Sequence, residues 1–239
     1  MPSRKIHKVA LAHDASPTIA CINKARMELG CDFDELIPVL QHFVDEHFAP
    51  VWGVRAKLVK ATKPHPGHWH MTFWDSPDQP GAEGYHDITY RGLPLAKVYV
   101  KATLDNKDKV STTACHELCE MLVDPAANLW AVGKRGIYWA YEVCDAVEDE
   151  EFQIDDIAMS DFVYPAYFEA FRKRKSAQFD HLNKLTYPFQ LLKGGYSQVF
   201  HGRRSKSIYF GSKTKELRFK KEDRRFHRSQ FRVRRPGSL

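Results

Sequence analysis

The sequence predicts an α+β fold: a mixed sheet with two N-terminal helices and one further, chemistry-bearing helix, followed by a basic C-terminal tail. Three observations support this. Apolar residues recur at helical spacing as far as Phe48, and the pattern changes towards period two near residue 54. A single helical stretch, residues 111–123, interrupts the strand-like half. From Arg203 onward the chain turns basic and poor in aliphatic residues.

In chain order, Val9-Ala10-Leu11-Ala12 reads as a short first strand. Residues 17–29 place Ile19, Ile22, Ala25, Met27 and Leu29 at helical spacing. Ser16-Pro17 suits an N-cap and first-turn proline, and Gly30 a stop, so a first helix is expected there. A second helix is expected over 32–48, with Phe33, Leu36, Ile37, Leu40, Phe43, Val44 and Phe48 facing inward, ended by Pro50 and Gly53. Residues 55–60, 69–74 and 95–100 read as strands separated by loops rich in Pro and Gly. The long loop over 75–92, with its Gly84-Tyr85-His86-Asp87 string, either lines a cleft or runs over the surface.

For the helix over 111–123, Ser111 or Thr112 is the expected N-cap, Asp124-Pro125 the stop, and Ala114, Leu118, Met121 and Leu122 the core-facing stripe. Beyond it, residues 130–132 and 137–145 read as a hairpin, with Glu142 and Cys144 on one strand face and Tyr141, Val143 and Asp145 on the other. The aromatic run over 162–171 is expected to pack across the core, and residues 188–196 close the apolar pattern.

A chain of 239 residues that is 43% hydrophobic can bury a substantial core. The expected division is a globular domain over 1–200 and a basic extension over 201–239. The extension holds 14 Lys/Arg against 3 Asp/Glu, so a protein of net charge +6 divides into a tail of +11 and a globular part of −5. No run of 18 apolar residues suggests a membrane span, and the N-terminus lacks the continuous apolar region of a secretory signal. Five irregularly spaced cysteines, Cys21, Cys31, Cys115, Cys119 and Cys144, read as thiols in a reducing compartment. The expected location is cytoplasmic, or the virion if the chain is phage-encoded.

The chemistry concentrates in the stretch from Ser111 to Pro125. At 3.6 residues per turn His116 and Glu120 stand on one helix face, while Glu117 points about 100° round from His116. This is the geometry of a metal-binding HExxH helix with glutamate in place of the second histidine. Imidazole nitrogen and carboxylate oxygen both ligate zinc at about 2.0–2.2 Å. Glu117 is then the candidate catalytic base towards water.

On these residues the stretch resembles the zincin class of metallopeptidases, and within it the gluzincin pattern, over roughly residues 95–145: an edge strand, the active helix and a downstream acid. The resemblance implies a zinc-dependent hydrolase acting on peptide bonds, with His116 and Glu120 as ligands, Glu117 as base, Glu142 as the best third ligand and Asp145 as a further candidate. The span 75–196 is also similar to uncharacterised bacterial and phage proteins that carry such a helix followed by a Glu-Val-Cys-Asp element. Because Glu120 replaces a histidine, two anionic ligands offset the charge on zinc, and a harder ion such as Mn²⁺ or Ca²⁺ stays open. So does a sulfur-based structural zinc site drawn from Cys115 and Cys119, four apart on the helix, with His116 or Cys144.

The tail carries the second signal. Arg203, Arg204, Lys220, Lys221, Arg224, Arg225, Arg232, Arg234 and Arg235 alternate with Tyr209, Phe210, Phe219, Phe226 and Phe231. Such a segment suits nucleic acid, an acidic partner or neighbouring subunits. An alternative function is therefore a phage virion or assembly protein that keeps a zincin-like fold and docks through this tail.

Overall fold

The computed structural model of the protein describes residues 16–79, 82–201 and 204–211. The strand expected at residues 9–12 lies outside them. The first described element corrects an expectation: residues expected to start a helix form strand β1 (Thr18–Asn23). Ile19, Ala20, Cys21 and Ile22 are all buried, because β1 lies between two parallel neighbours inside its sheet, with both faces covered. Such a strand is a continuous apolar run, which fits a helical period equally well over so short a length.

The second helix forms as expected. Asp32 caps it, its carboxylate accepting from the Asp34 N–H at 2.8 Å, and α1 (Phe33–His42) runs on through a π-helical segment (Phe43–Phe48) into α2 (Ala49–Trp52). Gly53, at φ 68°, provides the left-handed stop. Leu36, Ile37, Leu40, Phe43, Val44 and Phe48 all enter the core.

Strands β2 (Lys57–Lys60), β3 (Trp69–Trp74), β4 (Gly84–Ile88) and β5 (Pro94–Tyr99) complete a five-stranded sheet of order β2-β1-β3-β5-β4. Its pairs are parallel except for β4, which runs antiparallel along β5. The sheet is therefore mixed, as expected. Strand β5 is not its edge, however, because part of the expected 75–92 loop pairs beside it as β4. A network holds β4 on: Tyr85 donates to Asp78 and receives Lys97, and Asp78 also pairs with Lys97 and Tyr99.

After α3 (Val100–Asp105) comes α4 (Val110–Val123), which packs against β4, β5 and β9. It starts one residue before the expected cap. Lys109 occupies the N-cap position without a side-chain cap bond, Ser111 is buried inside the first turn, and the Thr112 hydroxyl donates to Glu151 at 3.1 Å. The expected single apolar stripe is also too narrow. From Ala114 to Leu122 every residue is buried, polar ones included.

Strands β6 (Trp130–Val132) and β7 (Tyr138–Ala140) form the expected hairpin, but the strand ends at Ala140. Glu142 and Asp145 therefore do not lie on strand faces. Beyond Ala140 the Val143 carbonyl accepts from Val163 at 2.7 Å, and residues Asp145–Val147 wind into a 3₁₀ turn. Hairpin β8 (Glu151–Ile154) and β9 (Ile157–Ser160) follows, and Phe162, Tyr167 and Phe168 pack in the core. Strands β10 (Tyr196–His201) and β11 (Arg204–Tyr209) join β7 and β6 in a second sheet of order β11-β10-β7-β6. No helix among the described residues is long and apolar enough to cross a membrane.

Candidate metal centre

Three elements converge beneath the edge of the five-stranded sheet. Helix α4 contributes His116, Glu117 and Glu120, all buried. Because side chains alternate along a strand, Gly84 and His86 of β4 share one face while Tyr85 points to the other. That shared face meets the helix: a Cβ built on Gly84 would lie 2.7 Å from Glu117 Oε1, and His86 Nδ1 lies 3.4 Å from Glu120 Oε2 and 3.9 Å from Glu117 Oε2. The third element is the segment after β7. Glu142 precedes its 3₁₀ turn and reaches His86 and Glu120, whereas Asp145, which opens the turn, and Glu148, which follows it, reach His116. The Cys144 N–H donates to Glu120 Oε1 at 3.4 Å and ties this turn to the helix.

Two groups result, each with ligand-capable atoms within 4.8 Å of one another: His86, Glu120 and Glu142, and His116, Asp145 and Glu148. In the first, His86 Nε2 is 3.9 Å from Glu142 Oε2. In the second, His116 Nε2 is 3.6 Å from Asp145 Oδ1 and His116 Nδ1 is 3.2 Å from Glu148 Oε2. The i, i+4 relation expected of the helix is present, with His116 Nε2 3.3 Å from Glu120 Oε1. Glu148 is the most exposed member, its side chain 27% accessible, so solvent approaches from its side.

These donors fit a divalent cation. A tetrahedral ion with bonds of about 2.0–2.2 Å sets its donors roughly 3.3–3.6 Å apart. His86 Nδ1 to Glu120 at 3.4 Å and His116 Nε2 to Glu120 at 3.3 Å and to Asp145 at 3.6 Å match that span, while His86 Nε2 to Glu142 is wider at 3.9 Å. Both buried groups are thus able to hold a metal ion.

Electrostatics point the same way. Burial disfavours the charged form of His116, but Glu120 and Glu148, aided by Cys144 and Asp145, outweigh it and hold the imidazole well above its usual range. Burial likewise opposes ionisation of Glu120, and His116 and His86 overcome it, so the carboxyl sits well below the ordinary carboxylate range. The cluster is an ion-paired one in which a proton occupies the place a cation could take.

The sequence-derived candidates His116, Glu120, Glu142 and Asp145 are all brought together, but differently grouped. Glu142 lies with His86 and Glu120, and Asp145 lies with His116. Glu117 belongs to neither group and sits beside the first. Sequence reasoning misses His86 and Glu148. His86 belongs to a segment that reads as loop, and nothing in the sequence singles out Glu148 from the acidic run over 148–151. Cys115, Cys119 and Cys144 are buried free thiols, and burial pushes the Cys119 and Cys144 thiols up. They form no part of the two groups.

Of the basic candidates, Arg204 opens β11 and is exposed. Arg203, Lys220, Lys221, Arg224, Arg225, Arg232, Arg234 and Arg235 lie outside the described residues. Compared with protein-family models, with curated proteins and with solved structures, the chain matches none.

Proposed function

We propose that the chain is a metal-dependent hydrolase of metallopeptidase type, with a zincin-like arrangement of edge strand, active helix and downstream acids, zinc as its ion and Glu117 as its catalytic base. One observation carries this reading. Glu117 is buried under Gly84, 3.9 Å from His86, next to a set of metal-capable donors to which it does not belong. A carboxylate in that position can transfer protons while its neighbours hold the ion.

A bound divalent ion supplies Lewis acidity towards water and the scissile carbonyl. The protein's own residues do the rest. Glu117 takes a proton from the attacking water and returns it to the departing amine, a role worth about 10²–10⁴-fold in rate. His86 fixes the orientation of Glu120 from the sheet side, and the segment after β7 presents Glu142 and Asp145. Peptide approaches from the side of Glu148.

The deciding experiment compares two variants for metal content and for hydrolysis of unstructured protein substrates. Glu117→Gln is expected to keep its metal and lose hydrolysis, and His116→Ala to lose metal. Equal metal loss in both would show that the roles are wrongly assigned.

A second reading is favoured by the charge division alone: the +11 carried by residues 201–239 suits an assembly or virion component that docks on nucleic acid or on other subunits through its tail.

A further inference from the structure

We infer that the cluster is built for two divalent ions bridged by Glu120, one held with His86 and Glu142 and the other with His116, Asp145 and Glu148. The inference rests on the metal-centre reading above. It goes beyond that reading in the number of ions and in the roles given to His86 and Glu148.

The position of Glu120 is the central observation. Its Oε2 faces His86 Nδ1 at 3.4 Å, and its Oε1 faces His116 Nε2 at 3.3 Å. One carboxylate thus offers one oxygen to each group of donors, as a bridging ligand does. Ions in two-metal sites lie about 3.5–4 Å apart, a separation that the two oxygens of a single carboxylate span. A single ion seated with His86 and Glu142 would leave His116 facing Asp145 and Glu148, a second set of donors that also lies within 4.8 Å.

Charge points the same way. The seven side chains comprise five carboxylates, Glu117 included, and two imidazoles. Ligating imidazoles must be neutral, so two divalent ions bring the set to within one charge of balance. One ion leaves it three charges short, in a place where uncompensated charge is expensive. A donor set rich in carboxylate with one imidazole per ion suits Mn²⁺ as well as Zn²⁺.

The test uses the full chain, stripped with chelator and titrated with Mn²⁺, with metal counted by calorimetry and by elemental analysis after dialysis. Electron paramagnetic resonance then reports whether the ions are coupled. Two ions per chain with an exchange-coupled spectrum are expected. The double variant Asp145→Asn/Glu148→Gln should bind one ion and give an uncoupled spectrum, as should His86→Ala. Two uncoupled ions in the unmodified chain would overturn the bridge by Glu120. One ion would overturn the two-metal site and leave the metal centre standing, whereas no ion would overturn both. Since the unmodified chain decides among these outcomes, misfolding of a variant does not remove the test.

Discussion

Gly84 of β4 stands directly over Glu117 of α4, so close that a Cβ at residue 84 would lie 2.7 Å from Glu117 Oε1 and 2.8 Å from Cγ. Only glycine lets the edge strand approach the helix so closely, and that approach brings His86, two residues on, to within 3.4 Å of Glu120. Gly84→Ala should therefore cost about 1–3 kcal/mol through overpacking. Because the clash falls on the proposed base, hydrolysis should fall further than the loss of folded protein explains. Thermal unfolding and turnover measured on the same sample would reveal the difference, and unchanged values for both would mean that the contact yields freely.

Metal binding should release protons. His116 is held protonated, against the cost of burial, mainly by Glu120 and Glu148, yet it must be neutral to ligate. Titration of divalent ion in buffers of different ionisation heat should show at least about one proton released per His116-containing site near neutral pH. Affinity should weaken as pH falls, since protons then compete better for the imidazole. An affinity independent of pH would place the ion elsewhere.

The parts of the fold that are legible in the sequence are those whose signals are local. Asp32 and Gly53 bound the second helix as capping rules require, and the helix around His116 keeps its i, i+4 pair. What is not legible depends on tertiary pairing. Strand β4 exists because Gly84 and His86 pair with Val98 and Ala96 of β5, and nothing within the Gly84-Tyr85-His86-Asp87 string announces that register. For the same reason the sequence does not single out His86. Strand β1 reads as helix because Ile19 and Ile22 satisfy a helical and a buried-strand pattern alike. Glu142 is expected in a strand because Ile137 to Cys144 is apolar and aromatic. The hairpin register continues by one bond, from the Tyr141 N–H to the Leu129 carbonyl at 3.2 Å, after which the chain leaves β6 and the Val143 carbonyl accepts from Val163.

Away from the metal cluster, Asp161 and Asp180 are both fully buried, and they hold neighbouring backbone: Asp161 Oδ1 accepts from Phe162 and Leu182, and the Asp180 carboxylate from Lys184 and Leu185. Burial, then the charge of Asp180, pushes the Asp161 carboxyl up to about 8 from an ordinary 3.8. Between those two values the folded protein keeps a proton that the unfolded chain has already released. That contribution to stability is fully present below the ordinary value and is lost as pH rises through about 8. Denaturant unfolding across this range should show stability declining as pH rises, by at most about 1.4 kcal/mol for each pH unit over which the proton is retained. Asp180→Asn removes the repelling charge and should narrow the pH range of the decline, whereas Asp161→Asn should abolish it, and a decline that persists in Asp161→Asn would assign it to other groups.

The tail decides whether the chain works alone or docked, and the fold dictates where it can be cut. Truncation after Tyr196 would divide β10 at its first residue and strip β11 from the second sheet, so its effects would mix unfolding with lost docking. Truncation after Gly211 keeps both strands, and Phe210 retains its backbone bond to the Gly195 carbonyl at 2.9 Å. Residues 212–239 hold most of the tail's basic side chains, including Lys220, Lys221, Arg224, Arg225, Arg232, Arg234 and Arg235. The shortened chain should unfold at the same temperature and keep its metal, while losing affinity for single- or double-stranded nucleic acid. In the full chain that affinity should fall linearly in log–log form with salt, by about 0.7–0.9 for each phosphate neutralised, since each contact releases condensed counterions. A shallow slope would favour a protein partner that receives the interleaved Phe219, Phe226 and Phe231. Association that survives the truncation would move the docking surface onto the globular domain, where exposed Arg204 and Lys206 on β11 would be the next residues to replace.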